Sequence, residues 1–224
     1  MSSKAADLDA IALSALMSSR ICHDLINPVG ALSSGLEVLA DPGMDEGMKE
    51  AAIDLIEKSA GKSVALLKYA RLAYGASGGL GAELPLEEAR HVLDGIFKWT
   101  KASLDWRLAP GQAPKDEVRA LLILAYAAAD CVPRGGEVVV DGAAGTYTIR
   151  VSGARLIVQE DFASALSGDV EDIKAKFTPH YLAGVMARQT GGGVDLVQTE
   201  QEMTINLRFF AASSQTEPGV LTAS

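Results

Sequence analysis

The sequence predicts an α plus α/β protein, with a helical hairpin first and a mixed α/β domain after it. Three observations predict this. Apolar residues recur with helical spacing through Leu39 and again from Ile53 to Tyr74. A glycine cluster interrupts the chain at Gly75. Beyond it, short β-rich runs alternate with helical patterns.

In the first helix, Ile11, Ala15, Ser18, Cys22, Leu25, Val29, Leu32, Leu36 and Leu39 are spaced 4, 3, 4, 3, 4, 3, 4, 3. This is an a/d seam sustained over about four heptads. Asp41-Pro42-Gly43 ends it with turn chemistry. A second seam runs through Ile53, Ile56, Ala60, Ser63, Leu67, Ala70 and Tyr74. Two helices of about 30 residues, roughly 45 Å each, would lie antiparallel. Such a hairpin leaves each seam half exposed. A second copy would bury it as a dimeric four-helix bundle, so a homodimer is expected; packing onto the second domain is the other way to cover it.

The break Gly75-Ala76-Ser77-Gly78-Gly79-Leu80-Gly81 holds neither helix nor strand well. The expected division is a hairpin over 1–76, a Gly-rich linker over 77–82, an α/β domain over 83–211 and a flexible tail over 212–224. Strands are expected at Glu137-Val138-Val139-Val140, from Thr146 to Val151 and from Thr204 to Phe209, with a long helix entering at Asp116.

The chain has 224 residues, 48% of them apolar and 22% charged, enough for one large domain or two small ones with real cores. Twenty basic residues against 29 acidic leave a net charge of −9, which repels phosphate backbones and weighs against nucleic acid. The longest apolar run, Ala120 to Ala129, falls short of the roughly 20 residues that span a bilayer. No apolar signal region follows Met1-Ser2-Ser3-Lys4, and two cysteines, Cys22 and Cys131, suit a reduced compartment. A cytoplasmic protein without membrane partners is the expectation.

His23 follows the seam residue Cys22, so it points off the flank of the first helix, with Arg20, Asn27 and Gly30 on its face and Asp24 beside it. Pro28 cannot bond the Asp24 carbonyl, and small residues follow. By spacing alone His23 reads equally as a surface histidine, Asp24 and Asn27 as capping or solvated groups, and Arg20 as a surface charge. The second helix should face His23 near Gly61 and Lys62. Arg20 and Lys62 would make this face neutral or positive, and side chains near Tyr69 and Leu72 would extend a docking surface.

The string from Ser19 to Leu32, with His23-Asp24, Asn27 and Pro28, resembles the phosphoacceptor box of sensor histidine kinases. That resemblance implies that His23 carries a phosphoryl group and that Asp24 orients the imidazole and takes its proton. Asn27 would bond the phosphoryl or a water, and Arg20 would offset its charge. The second half resembles, in element order, the GHKL-type ATP-binding α/β sandwich of those kinases, with its nucleotide residues replaced. Ile123 and Ala127 stand at the metal-binding asparagine positions, Ser152-Gly153-Ala154-Arg155-Leu156 at the adenine-reading box, and the glycines of the ATP lid are absent before Phe177. Gly191 to Gly193 read as a helix-to-strand turn, His91 and His180 as surface or satisfied core groups, and Cys22 as a seam residue.

A kinase-like dimer with a phosphoacceptor and no ATP site resembles the ChpT family of alphaproteobacterial histidine phosphotransferases, over about residues 6–210. The resemblance implies a phosphorelay intermediate that is not an ATP-dependent kinase. It would take phosphate from a CckA-like hybrid-kinase receiver and pass it to CtrA-like and CpdR-like response regulators of the cell cycle. It implies no cofactor or metal of its own, Mg²⁺ being supplied by the receiver. An ATP-dependent histidine kinase and a non-catalytic dimeric receiver-binding adaptor are the alternatives.

Overall fold

The structure, a computed structural model, describes residues 8–75, 83–169 and 172–210. Helix α1 (Ala10–Ala40) starts where the Asp9 carboxylate accepts from the N–H groups of Ile11 and Ala12, both at 2.8 Å. It stops at Asp41, whose side chain turns to accept from Gly43 N–H. Asp45 then caps α2 (Glu46–Ala73) through Met48 N–H at 2.9 Å. Three aspartates thus define the hairpin's ends; the turn at Asp41-Pro42-Gly43 was expected, the caps at Asp9 and Asp45 were not. Pro28 is tolerated inside α1, where it is buried. The helices approach closely at Gly35, since a Cβ there would stand 2.6 Å from Ile56 Cγ1.

The heptad seams divide between two faces. Leu25, Leu32 and Leu39 turn half-buried toward α2, and Ile56, Ser63 and Ala70 turn toward α1. The alternate seam positions Ile11, Cys22, Val29 and Leu36 on α1, with Ile53 and Leu67 on α2, face solvent in the single chain. The hairpin register differs from expectation. Gly61 lies under the Trp99 indole, where a Cβ would meet the ring at 2.8 Å. Asp24 and Leu25 instead stand level with Leu66, Tyr69 and Ala70. The connection runs through Asp45 before α2 begins, which moves the register at least one turn beyond Gly61 and Lys62.

After α2 come β1 (Glu83–Pro85), α3 (Leu86–Phe97), β2 (Ala102–Trp106), β3 (Gln112–Pro114), α4 (Lys115–Asp130), β4 (Gly136–Ala143) and β5 (Thr146–Ser152). The chain continues through α5 (Glu160–Ser167), a 3-10 turn (Ala175–Phe177), α6 (Thr178–Gln189), β6 (Gly193–Gln198) and β7 (Glu202–Arg208). The main sheet has the order β2-β4-β5-β7-β6, with β2 and β4 parallel and the other pairs antiparallel; β1 and β3 form a separate two-stranded ladder. Strand alternation buries Tyr147, Ile149 and Val151 beside Met203, Ile205 and Leu207, in the core that α4 and α6 share. Thr148, Arg150, Thr204 and Asn206 point the other way. The three expected strands are β4, β5 and β7; β2 and the edge strand β6 were not foreseen, since neither has a long β-branched run.

Helix α4 is buried nearly all round, which explains its unbroken apolar stretch from Ala120 to Ala125. The C-terminal turns of α2 join the same core: Leu66, Tyr69, Leu72 and Ala73 cluster with Leu84, Leu93 and Leu121. Tyr69 and Leu72, at 3% and 1% exposure, are therefore structural rather than docking residues, because α2 lies against α3 and α4 at this level. The expected linker over 77–82 and tail over 212–224 lie outside the described residues. Among the described residues no helix is long and apolar enough to cross a membrane.

Candidate functional site

Helix α1 presents His23 outward, its side chain 77% exposed. Helical spacing puts Arg20 one turn before Asp24, and the Arg20 Nε donates to Asp24 Oδ2 at 2.8 Å. The pair is largely withdrawn from water, at 14% and 23% side-chain exposure. The other Asp24 oxygen, Oδ1, stands 3.5 Å from His23 Nδ1. A carboxylate there favours a proton on Nδ1, which leaves the lone pair on Nε2, the nitrogen of a nucleophile. Arg20 Nη1 also donates to the Lys176 carbonyl at 3.3 Å, tying α1 to the 3-10 turn of the second domain. Burial, the largest influence, works against the Arg20 charge, yet Asp24, Tyr74 and Asp130 together outweigh it and hold the guanidinium above its ordinary pKa. Asn27, one turn on, is exposed, and the surface beyond it is open at Gly30, where a Cβ would meet nothing within 4 Å.

Arg20, His23 and Asp24, but not Asn27, belong to one wall of a cleft of about 380 Å³. Ser19, Arg20, His23 and Asp24 come from α1, Tyr126 and Asp130 from α4, and Ala175 and Lys176 from the 3-10 turn. Burial raises the Asp130 carboxyl above its usual range, while Arg20 and Lys176 pull it back. Next to this site lie three tyrosines. Tyr69 packs edge-on against Tyr74 and Tyr126, and the Tyr74 hydroxyl donates to the Tyr69 hydroxyl at 3.3 Å. Burial pushes Tyr74 up to about 12, so it stays neutral near the Arg20–Asp24 pair.

The four residues expected at the site, Arg20, His23, Asp24 and Asn27, share one face of α1. The far wall was missed: Tyr126, Asp130 and Lys176 are remote in sequence, and their only local signal is the charge of Asp130 ending an apolar run. Lys62 is not among the residues lining this cleft, and Lys176 supplies the second cation instead.

The region that resembles a nucleotide site is filled. Ile123 and Ala127 are buried, and the cavity beside Ala127 measures only about 20 Å³, room for a single water at most. The His180 ring lines this cavity, 4.5 Å from the Phe162 centroid and 5.4 Å from that of Phe177. His180 departs from the expectation of a satisfied group: its Nδ1 is buried without a hydrogen-bond partner, and desolvation lowers its pKa to about 3. His91 is exposed on α3. Gly191 has φ +78° just past α6, and Gly192 N–H donates to the Ala187 carbonyl, so this stretch is a helix-to-strand turn. Among the described residues no three His, Cys, Asp or Glu side chains group as a metal site.

A helical hairpin that holds a histidine–carboxylate pair over a cleft, with an α/β domain as the far wall, is the arrangement that the comparisons with known proteins assign to a phosphotransfer class. The chain belongs to the histidine phosphotransferase family: the family description "Histidine phosphotransferase C-terminal domain" matches residues 86–202. Protein phosphotransferase ChpT of Brucella abortus (strain 2308) is 33% identical over 205 residues, covering 89% of this chain and 96% of that protein. A solved bacterial phosphotransferase superposes with a TM-score of 0.80 at 32% identity, over 90% of this chain and 98% of the other. The protein is thus, by family, a histidine phosphotransferase, a class that works in phosphorelays.

Proposed function

We propose that the protein relays phosphoryl groups between receiver-domain aspartates through a covalent phosphohistidine at His23. The observation that carries this is the exposed imidazole on the wall of the cleft, with Nδ1 3.5 Å from Asp24 Oδ1. The Nε2 lone pair attacks the phosphorus of an aspartyl phosphate on the donor receiver. The N–P bond forms as the P–O bond breaks, and the donor carboxylate leaves with its electron pair. The Nδ1 proton stays on the ring, where Asp24 offsets the developing imidazolium charge. A second receiver aspartate reverses these steps.

Asp24 orients the ring and Arg20 holds Asp24, a positioning role in place of the direct charge compensation that its residue type suggests. Asn27 bonds the phosphoryl or a water from one turn away. The Mg²⁺ that such chemistry uses belongs to the receiver. The family resemblance points to a CckA-like donor, CtrA-like and CpdR-like acceptors, and thus to cell-cycle control. The buried Ile123 and Ala127 and the filled cavity support a protein that takes phosphate from receivers rather than from ATP. The solvent-facing seam of Ile11, Val29, Leu36, Ile53 and Leu67 supports a homodimer joined as a four-helix bundle.

The test incubates the full chain with a phosphorylated receiver and follows the label. An acid-labile, base-stable phosphate that disappears in His23→Ala is expected. Label arising from ATP alone would mean a kinase, and binding without label would mean an adaptor. Sedimentation tests the dimer: Leu36→Glu should yield monomers.

A further inference from the structure

We propose that the Lys176 ammonium, carried by the second domain, meets the phosphoryl group in the cleft and offsets its charge as it moves to and from His23. This rests on His23 being the phosphoacceptor. The cleft is lined by two carboxylates, Asp24 and Asp130, and two cations, Arg20 and Lys176. Arg20 is held at two points: its Nε lies 2.8 Å from Asp24 and its Nη1 3.3 Å from the Lys176 carbonyl. Swinging the guanidinium toward a phosphoryl group would break both bonds and release Asp24 from its place beside the imidazole. Arg20 and Asp24 also cancel each other's charge.

That leaves Asp130 and Lys176 to set the field an incoming phosphate meets. An uncompensated Asp130 would repel it, and it would equally repel the carboxylates of a receiver's phosphorylation site. Lys176 is exposed and forms no ion pair among the described residues; its Nζ stands 5.7 Å from the Phe177 ring centroid. The neighbouring cation is differently committed, since Lys174 Nζ is held by Asp161 at 2.8 Å, away from the cleft. Lys176 therefore carries, on a flexible four-carbon stem, a charge that no salt bridge among the described residues holds, while its backbone is anchored to α1 through Arg20.

A phosphoryl group in transfer spreads negative charge over three equatorial oxygens. An ammonium in a cleft walled by protein stabilises that charge more than one in open water. Lys176 makes and breaks no covalent bond here. The N–P bond forms at His23 Nε2, the P–O bond breaks at the receiver aspartate, and the lysine keeps its proton. The hairpin supplies the nucleophile and the second domain the counter-charge, so a hairpin alone would be an incomplete site.

Phosphoramidate serves as a donor that needs no receiver docking, and a receiver domain charged with acetyl phosphate serves as the protein donor. In the full chain, Lys176→Met should slow His23 labelling by phosphoramidate at least about tenfold, and should lower kcat more than it raises KM with the receiver. Lys176→Arg should restore most of the rate, and Lys174→Met should match wild type. An unchanged phosphoramidate rate in Lys176→Met, or a change confined to the receiver's KM, overturns the proposal. Wild-type chain that takes no label from either donor refutes instead the phosphoacceptor reading on which it rests.

Discussion

Leu72→Ala removes three carbons from a side chain that is 1% exposed in the last turn of α2. The leucine packs in one core with Leu84, Leu93 and Leu121, so its loss is felt where the hairpin joins the second domain. At about 0.8 kcal/mol per buried methylene, the transfer loss is about 2.4 kcal/mol. Incomplete collapse around the cavity raises the total to roughly 3–4 kcal/mol. For a chain of this size that lowers the melting temperature by roughly 6–16 °C. Urea unfolding followed by circular dichroism, at one fixed protein concentration, should show a lower midpoint with an unchanged slope. Phosphotransfer measured well below the transition should keep its wild-type KM for the receiver. A wild-type midpoint together with a raised KM would place Leu72 on a docking surface and refute the shared core.

Four further outcomes follow from the packing and the open seam. A Cβ at Gly184 would run into the Leu166 carbonyl, backbone that cannot step aside; Gly184→Ala should cost more than about 2 kcal/mol in thermal unfolding despite alanine's better helix propensity. His180 is held neutral by burial, with a pKa of about 3 against about 6.5 when unfolded. The unfolded chain therefore binds more protons below pH of about 6.5. Wild-type stability should fall there by up to about 1.4 kcal/mol per pH unit, and not above it. His180→Phe should flatten that part of the profile, and parallel curves for the two proteins would contradict this. Cys131 is buried, its thiol pushed up to about 12 by desolvation and by Asp130, so it should stay silent to thiol reagents until the protein unfolds. Cys22 lies on the open seam and should react faster as dilution separates the proposed dimer.

Helix placement was legible in the sequence because it depends on neighbours within four residues. The seams through Leu39 and Tyr74, the Asp41-Pro42-Gly43 turn and the long helix after Asp116 all appear where that spacing put them. Strands β4, β5 and β7 showed themselves by β-rich runs. Strand β2, by contrast, is defined by its parallel pairing with β4, more than thirty residues on. The departure from nucleotide-binding domains was readable at Ile123 and Ala127, but only packing shows Phe162 and His180 closing in beside Ala127.

The site divides in the same way. His23, Asp24, Asn27 and Arg20 fall on one face of α1 by helical period, and the sequence by itself determined that grouping. It could not place Arg20's second partner, the Lys176 carbonyl, which lies 156 residues away. Nor could it choose which seam residues face α2, or the register that sets Gly61 against Trp99 instead of His23. Tertiary structure decided these, because a cleft is the gap left where two separately folded surfaces share one core. Its far wall of Tyr126, Asp130 and Lys176 is set by how α4 and the 3-10 turn pack, and no spacing within α1 records that.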